Sequence, residues 1–436
     1  MTLIDEVVGF IAQKDALELL RYFWYFILFD FTRYLLLDLA LISYFITRHG
    51  RRGRERVVAR QRLFAQRPLV TVMAPGKNEG AHIPALVESL ARQTYRHVEL
   101  IVVDDGSTDD TPAICRDLLA QGRIQGFFRN GVRGGKASAA NLALRYSKGE
   151  YVIHLDADTH LAEDAVEKIL LPFFISERVG AVAGDVRVAN LKTSLASGLQ
   201  AIEYMKGISV GRTVHSMLGT LRIVSGAFGA FRRDLLVRLG GWDVGPGLDG
   251  DLTMKIRKLH LDVAFEPEAI CYTNVPVSFA RLARQRYRRD RSLIRFRTRR
   301  HVDFLVPDRN FRLRNFVSSF ENIFFNVVLD LKWWIYIVQI GLFMTAHLKL
   351  ILLVNFLLYL TSASIQFLLS LALYGHTARR QEIALVWLLP LVPIYTGYFL
   401  RIVRTYAYLM EWLFKASYLD AWNPWKTSRV AHEENL

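Results

Sequence analysis

Cysteine is nearly absent: Cys115 and Cys271 are the only two in 436 residues. Two thiols support neither a disulfide scaffold nor a four-cysteine zinc site. Twelve prolines and 28 glycines exclude a collagen-like or low-complexity chain. Acidic side chains are outnumbered, 41 against 56 basic ones, which leaves a formal charge of +15. An excess of that sign suits nucleic acid or an anionic membrane surface. Residues 1–21 lack the cationic start, short apolar core and small-residue cleavage site of a secretory signal, so none is expected. What the chain has is apolar mass. Hydrophobic residues make up 52% and aromatics 12%, which excludes a disordered protein. Mean hydropathy is +0.17 although 22% of residues are charged. Very apolar segments must therefore alternate with very charged ones.

Residues 1–22 form a polar N-terminal segment. Phe23–Ile46 is apolar except for Asp30, Arg33 and Asp38. As a helix it is about 36 Å long, so a membrane span is expected over 23–47. Asp30 and Arg33, three apart, are placed to pair on one face. The linker 48–68 sets Arg48, Arg51, Arg52, Arg54, Arg56, Arg60 and Arg62 against Glu55. Arginine on one flank puts that flank in the cytoplasm and the N-terminus outside. Over 69–278, Val- and Ile-rich runs alternate with amphipathic helical patterns. That reads as an α/β domain on a mostly parallel sheet. Residues 279–318 are a belt of thirteen arginines, Arg281 to Arg314, with Leu282, Leu293, Ile294 and Phe296 interleaved. An amphipathic helix at the membrane surface is expected there. Nucleic acid is set aside as a partner because apolar stretches follow at once, about 320–346, 349–374 and 383–403. These fill a three-span region, 319–403. Arg379 and Arg380 mark the loop between the last two as cytoplasmic. Asp330 and Lys332 either pair with each other or face a polar path. The tail, 404–436, carries Arg404, Glu411, Lys415, Trp422 and Trp425.

Within the α/β region, the strand VELIVVDD ends in Asp104 and Asp105. Ligands of open α/β sheets bind beyond the C-terminal ends of the strands. A second strand, YVIHL, ends in Asp156 and Asp158. Two carboxylates at i and i+2 can share a divalent cation, which in turn can hold a departing diphosphate. Between them, Gly134 and Gly135 allow close backbone approach, and Lys136 supplies a point charge for phosphate at a helix start. The spacing is not that of a P-loop, so ATP hydrolysis is not expected. Ser225, Gly226 and Gly229 precede an amphipathic helix. Asp249 could serve as the base for an attacking hydroxyl. Plainer uses exist: Asp104 and Asp105 as helix caps, the Asp156–Asp158 stretch as a solvated turn, Lys136 as a surface lysine. Asp249 and Asp251 could merely favour a helix N-terminus. His154 reads as a core residue or a support to the site rather than a ligand.

The segments VTVMAPGKNE, VDDGSTDDT, GGKASAAN, LDADT, SGAFGAFRR and LDGDLTMKIRK, in that order, resemble family-2 glycosyltransferases of the GT-A, Rossmann-like fold. QRYRRDR is similar to the QxxRW motif of their processive, membrane-embedded branch, which makes cellulose, chitin, hyaluronan and poly-N-acetylglucosamine. The likeness covers about residues 69–300. One span before the domain and three after agree with the arrangement of rhizobial chitin-oligosaccharide synthases. The resemblance implies Asp105 on the nucleotide base with Asp104 beside it, and Lys136 near the diphosphate. It makes Asp156 and Asp158 the pair for UDP and a divalent metal, Mg2+ or Mn2+. It makes Asp249 the catalytic base and puts Gln285 and Arg288 on the donor, Arg288 at its pyrophosphate. Ser225 and Gly226 fall in a loop at the acceptor end. Two positions depart: Leu248 replaces a glutamate and Arg289 a tryptophan, and both bear on the acceptor.

The function so implied is inverting transfer from a UDP-sugar to a growing β-linked polysaccharide at a bacterial inner membrane, coupled to export. The catalytic domain then faces the cytoplasm, with room for a homo-oligomer or a small membrane partner. Transfer of one sugar to a polyprenyl-phosphate or other lipid-linked acceptor is the alternative. A non-catalytic UDP-sugar-binding scaffold is the third reading, resting on Leu248 and Arg289.

Overall fold

The computed structural model describes residues 3–47, 53–243, 247–295, 300–306, 311–419 and 429. Arg48, Arg51 and Arg52 of the linker lie outside the described residues. So do Phe296, Arg297, Arg299 and Arg309 of the belt and Trp422 and Trp425 of the tail.

Eight strands form one sheet: β1 Val70–Gly76, β2 Val98–Asp104, β3 Gly126–Arg129, β4 Tyr151–Leu155, β5 Thr159–Leu161, β6 Val179–Val188, β7 Phe228–Arg232 and β8 Asp262–Thr273. Their order is β3-β2-β1-β4-β7-β6-β8-β5. The strands alternate their faces with period two. Val72, Leu100, Val102 and Ile153 enter one apolar layer; Met73, Ile101, Val103 and Val152 enter the other. The alanine side of helix Lys136–Tyr146 (Ala137, Ala140 and Ala143) packs in the second layer. The sheet is mixed rather than mostly parallel. β1 to β4, and β6 with β8, pair parallel, but β7 runs antiparallel to both β4 and β6, and β5 to β8. Topology dictates this. The helical excursion 195–217 leaves the C-terminal end of β6, and the chain re-enters at residues 225–227 beside the end of β4. Without a crossover, β7 can only run back.

Among the described residues, three helical stretches are long and apolar enough to cross a membrane: Leu313–Phe343, Thr345–Thr377 and Arg380–Phe414. The last continues past the expected end at 403. Arg404 lies within it, not in a tail, and pairs with Asp330. Asp330 also meets Arg401 at 3.2 Å, while the Lys332 ammonium sits over the Phe29 ring. Asp330 and Lys332 therefore do not pair. The N-terminal helical stretch runs from residue 16 to residue 47, kinked at Phe23 (φ −121°, ψ 17°) and passing through a π-helical stretch, Phe26–Phe31. Its charges do not pair with each other either. Asp30 accepts from the Tyr359 hydroxyl, and Arg33 faces Glu321 at 3.8 Å. The reason is packing: two neighbouring helices offer each charge a partner.

Helix Phe279–Ile294 carries the arginine belt and divides it. Arg286 and Arg291 are buried, bonded to Glu203 (2.8 Å) and the Ala416 carbonyl (2.5 Å). Arg281, Arg284 and Arg289 are exposed.

Candidate active site

The site gathers at the C-terminal ends of β1, β2 and β4. Asp104, fully buried, accepts from the Ser107 amide (2.8 Å) and pairs with Arg129 (3.0 Å). Asp105 receives Asn130 Nδ2 and the amides of Gly134 and Gly135, each at 2.8 Å. Gly135 has φ +85°, a conformation a side chain resists. Asp105 thus fastens the glycine turn that launches helix Lys136–Tyr146. Neither carboxylate caps the helix Thr111–Ala120, whose N-cap position is Asp110.

Lys136, at the first turn of its helix, reaches Asp156 Oδ1 at 2.5 Å. Both side chains keep 35% exposure, so the pair opens to the cleft. Asp249, in the first turn of helix Leu248–Lys258, accepts the Gly226 amide on Oδ2 at 2.9 Å. A Cβ on Gly226 would lie 2.8 Å from both Asp249 oxygens and 2.8 Å from Lys136 Nζ. Only glycine lets base and lysine stand that close. Thr253 Oγ1 ties the region to the helix, donating to the Asp249 carbonyl (2.7 Å) and accepting the Val224 amide (2.9 Å). Asp251 is buried two residues on, held by His301 (2.8 Å), Arg300 (3.1 Å) and Lys255 (3.6 Å). It is a structural charge. His154 is buried, its Nδ1 2.6 Å from the Gly226 carbonyl, and supports the loop from below.

Asp158 is bonded to Thr273 (3.4 Å). The Ser225 hydroxyl accepts the Ala227 amide (3.3 Å) and its carbonyl accepts the Phe228 amide (3.1 Å). Leu248 packs against the apolar layer under the helix. Gln285, Arg288 and Arg289 lie on the separate helix Phe279–Ile294. Gln285 Oε1 is sealed without a partner among the described residues, Arg288 is half-buried, and Arg289 is 59% exposed and 3.3 Å from Asp290.

Residues 71–240 match the model of glycosyl transferase family 2. The α/β unit is a family 2 glycosyltransferase domain. The poly-beta-1,6-N-acetyl-D-glucosamine synthase of Staphylococcus epidermidis is 32% identical over 214 residues, 48% of this chain and 51% of the relative. That of Staphylococcus aureus strain COL is 29% identical over 222 residues, 50% and 53% of the two chains. The chain thus spans about half the length of the curated relatives it matches. A mannosyltransferase from Pyrobaculum calidifontis, solved with GDP-Man and Mn2+, shares the fold at TM-score 0.55 and 21% identity. The match covers 87% of this chain and 99% of that one.

Electrostatics within the glycosyltransferase domain bear on a metal. Burial and then the neighbouring Asp156 push the Asp158 carboxyl up. Burial, Asp158 and Asp156 push Glu79 to about 7. Burial would raise Asp156 too, but the Lys136 ammonium outweighs it and holds the carboxyl low. Lys136 itself is raised because Asp156 and Asp249 outweigh burial. Asp156, Asp249 and Asp158 all act on the Lys136 charge. The hard oxygens of Asp156 and Asp158 suit a divalent cation. No group of three metal-binding side chains assembles among the described residues. A cation would take its remaining ligands from a diphosphate or water. Glu79 carried no signal in the sequence beyond its place in GKNE; the loop bond from the Glu79 amide to Thr111 (3.0 Å) brings it in.

Proposed function

We propose that the chain is an inverting membrane glycosyltransferase that moves a sugar from a UDP-sugar to a growing β-linked polysaccharide. The observation that carries this is the meeting of Asp249, Lys136 and Asp156 around Gly226. The acceptor hydroxyl gives its proton to Asp249, whose Oδ2 is steadied by the Gly226 amide. The acceptor oxygen bonds to the anomeric carbon as the bond from that carbon to the UDP oxygen breaks, and UDP leaves with the electron pair. Lys136 faces the negative charge that grows on the diphosphate. One displacement inverts the anomeric centre and yields a β-linkage.

A divalent cation, Mg2+ or Mn2+, bound by Asp156 and Asp158 would neutralise the diphosphate. Asp105, through the Gly134–Gly135 turn, keeps Lys136 in place; in the family pattern it also meets the base. Gln285 and Arg288 are assigned to the donor, and Ser225 and Gly226 to the acceptor end. The names of the relatives favour N-acetylglucosamine as the sugar.

The domain faces the cytoplasm of a bacterial inner membrane, with the N-terminal helix a fourth span and extension coupled to export. The clasp between β6 and Thr377 keeps the loop that carries Arg379 and Arg380 beside the domain, and arginine-bearing loops favour the cytoplasmic side. A second reading, transfer of one sugar to a lipid-linked acceptor, draws on a cavity of about 250 Å³ among the apolar helices. Ile294, Leu331, Leu409 and Trp412 line it, with Asp330 at its edge.

Incubating the full chain in lipid nanodiscs with a panel of UDP-sugars, with and without EDTA, tests the proposal. A long water-soluble product that vanishes with EDTA supports it. A product of one sugar on lipid moves the reading to the second. No UDP release from any donor means a binding scaffold.

A further inference from the structure

Segment 219–226 leads to β7 with neither helix nor strand of its own. One face of helix Leu248–Lys258 holds its backbone groups instead. Asp249, Thr253 and Arg257 stand four residues apart and so share that face. Asp249 takes the Gly226 amide (2.9 Å) and Thr253 the Val224 amide (2.9 Å). Arg257 donates to the carbonyls of Leu221 (2.7 Å) and Gly219 (3.1 Å). Helix and segment therefore run antiparallel, bonded at each turn. Arg257 reaches further. Its Nε donates to Asn315 Oδ1 at 2.9 Å and its Nη2 to the Arg314 carbonyl at 3.3 Å. Both belong to helix Leu313–Ile323, where the stretch Leu313–Phe343 begins. That helix also grips the segment directly: Ser318 donates to the Thr220 carbonyl (2.9 Å), and Glu321 accepts from Arg222.

Arg257 is 6% exposed, and its hydrogen-bond partners among the described residues, Ser318 Oγ at 3.5 Å included, are all uncharged oxygens. Burying a cation without an opposite charge is costly. What the position uses is the planar fork of five donors, which a lysine lacks. That fork joins three pieces of chain: the helix that carries Asp249, the segment that ends in Gly226, and the start of an apolar helix. We propose that Arg257 is a positioning residue for the transfer. It holds segment 219–226, and so the Gly226 amide that steadies Asp249, in register with helix Leu313–Ile323. Arg257 stands eight residues from the base, about 12 Å along the helix, and acts on it through the segment rather than by touching substrate. The inference rests on the glycosyl-transfer reading and deepens it: the placement of the base is set partly from the membrane-facing helix.

The test uses the full chain in nanodiscs with whichever donor of a UDP-sugar panel the wild type turns over fastest, and reads kcat, donor KM and Tm. Arg257→Lys keeps the charge but cannot span three segments. Its kcat should fall roughly tenfold, as misplaced reacting groups do, with donor KM within about twofold. Asn315→Leu, on the far helix, should lower kcat in the same way, and it carries the test if Arg257→Lys does not fold. Asn315→Asp keeps an oxygen for Nε and should stay near wild type. The double variant Arg257→Lys with Asn315→Leu should lose little more than Arg257→Lys alone, because both break one link. Folded variants with wild-type kcat, a loss confined to Tm or to donor KM, or losses that simply multiply in the double variant would each overturn the proposal and leave the transferase reading standing. A wild type that releases no UDP from any donor overturns that reading, and the role of Arg257 falls with it.

Discussion

Asp249 and Asp251 stand one turn-edge apart on the same helix, yet their surroundings assign them opposite work. Asp249 accepts one backbone amide and faces Lys136; Asp251 is enclosed by Arg300, His301 and Lys255. Asp249→Asn keeps size and most hydrogen bonding but cannot take a proton. Its kcat should fall about 10²–10⁴-fold, with UDP affinity retained by titration calorimetry. Asp251→Asn should instead lower Tm, because it leaves cations without their counter-charge. If Asp249→Asn works within threefold of wild type, the base lies elsewhere. Gly226→Ala places a methyl 2.8 Å from both Asp249 oxygens and Lys136. It should abolish transfer, and a variant as active as wild type would mean base and lysine need not be adjacent. Asp249, Lys136, Asp156 and Asp158 were legible because each ends a strand or opens a helix within a local pattern. Glu79 was not. Glu79 reaches the site through a loop bond. Nothing in the neighbouring residues signals it.

Helices of the glycosyltransferase domain were readable from their periodicity, and β1, β2 and β4 from Val- and Ile-rich runs. β6 was harder, since VGAVAGDVRV holds two glycines and an ion pair yet is buried along its whole length. The pair explains itself only in three dimensions. Arg187 donates to Asp185, and its other two nitrogens bond to the Thr377 carbonyl and hydroxyl, each at 2.9 Å, under the Tyr374 ring. Arg379 answers from the other side, donating to the Val188 carbonyl at 2.8 Å. The loop between the last two apolar helices is thus riveted to the sheet. Arg187 and Asp185 are each 1% exposed. Arg187→Met alone should cost roughly 3–5 kcal/mol, because it strands a buried carboxylate. Adding Asp185→Asn should recover part of the loss in a double-mutant cycle read by thermal unfolding. Equal losses in the single and double variants would show that the rivet, not the charge balance, carries the stability.

At the scale of the whole molecule, the N-terminal helix is built inside out. Leu28, Phe31, Leu35, Leu36, Leu39 and Ile42 are exposed, while Asp30 is 5% exposed and bonded to Tyr359, and Arg33 turns to Glu321. In water that arrangement would be costly; in lipid it would be favourable, and that is the ground for proposing this helix as a span, its apolar side chains toward acyl chains and its charges toward protein. The composition that keeps this helix below the apolarity of the other three consists of charges it hides. At its far end, Arg56 pairs with Glu266 (2.6 Å) and Arg60 with Glu167 (2.5 Å), so the following helix, Gly53–Gln66, lies against the glycosyltransferase domain. The loop at Thr377 is tied to the same domain. Both loops must then share its side of the membrane. Cys115 and Cys271 are buried and give little background labelling. A cysteine at Gly53 and one at His376, each introduced alone, should resist an impermeant thiol reagent in intact cells and react after permeabilisation. Labelling of both in intact cells would put the sugar-nucleotide site outside. Labelling of one alone would break the shared-side argument, since a single rigid domain cannot hold loops on opposite faces of the bilayer.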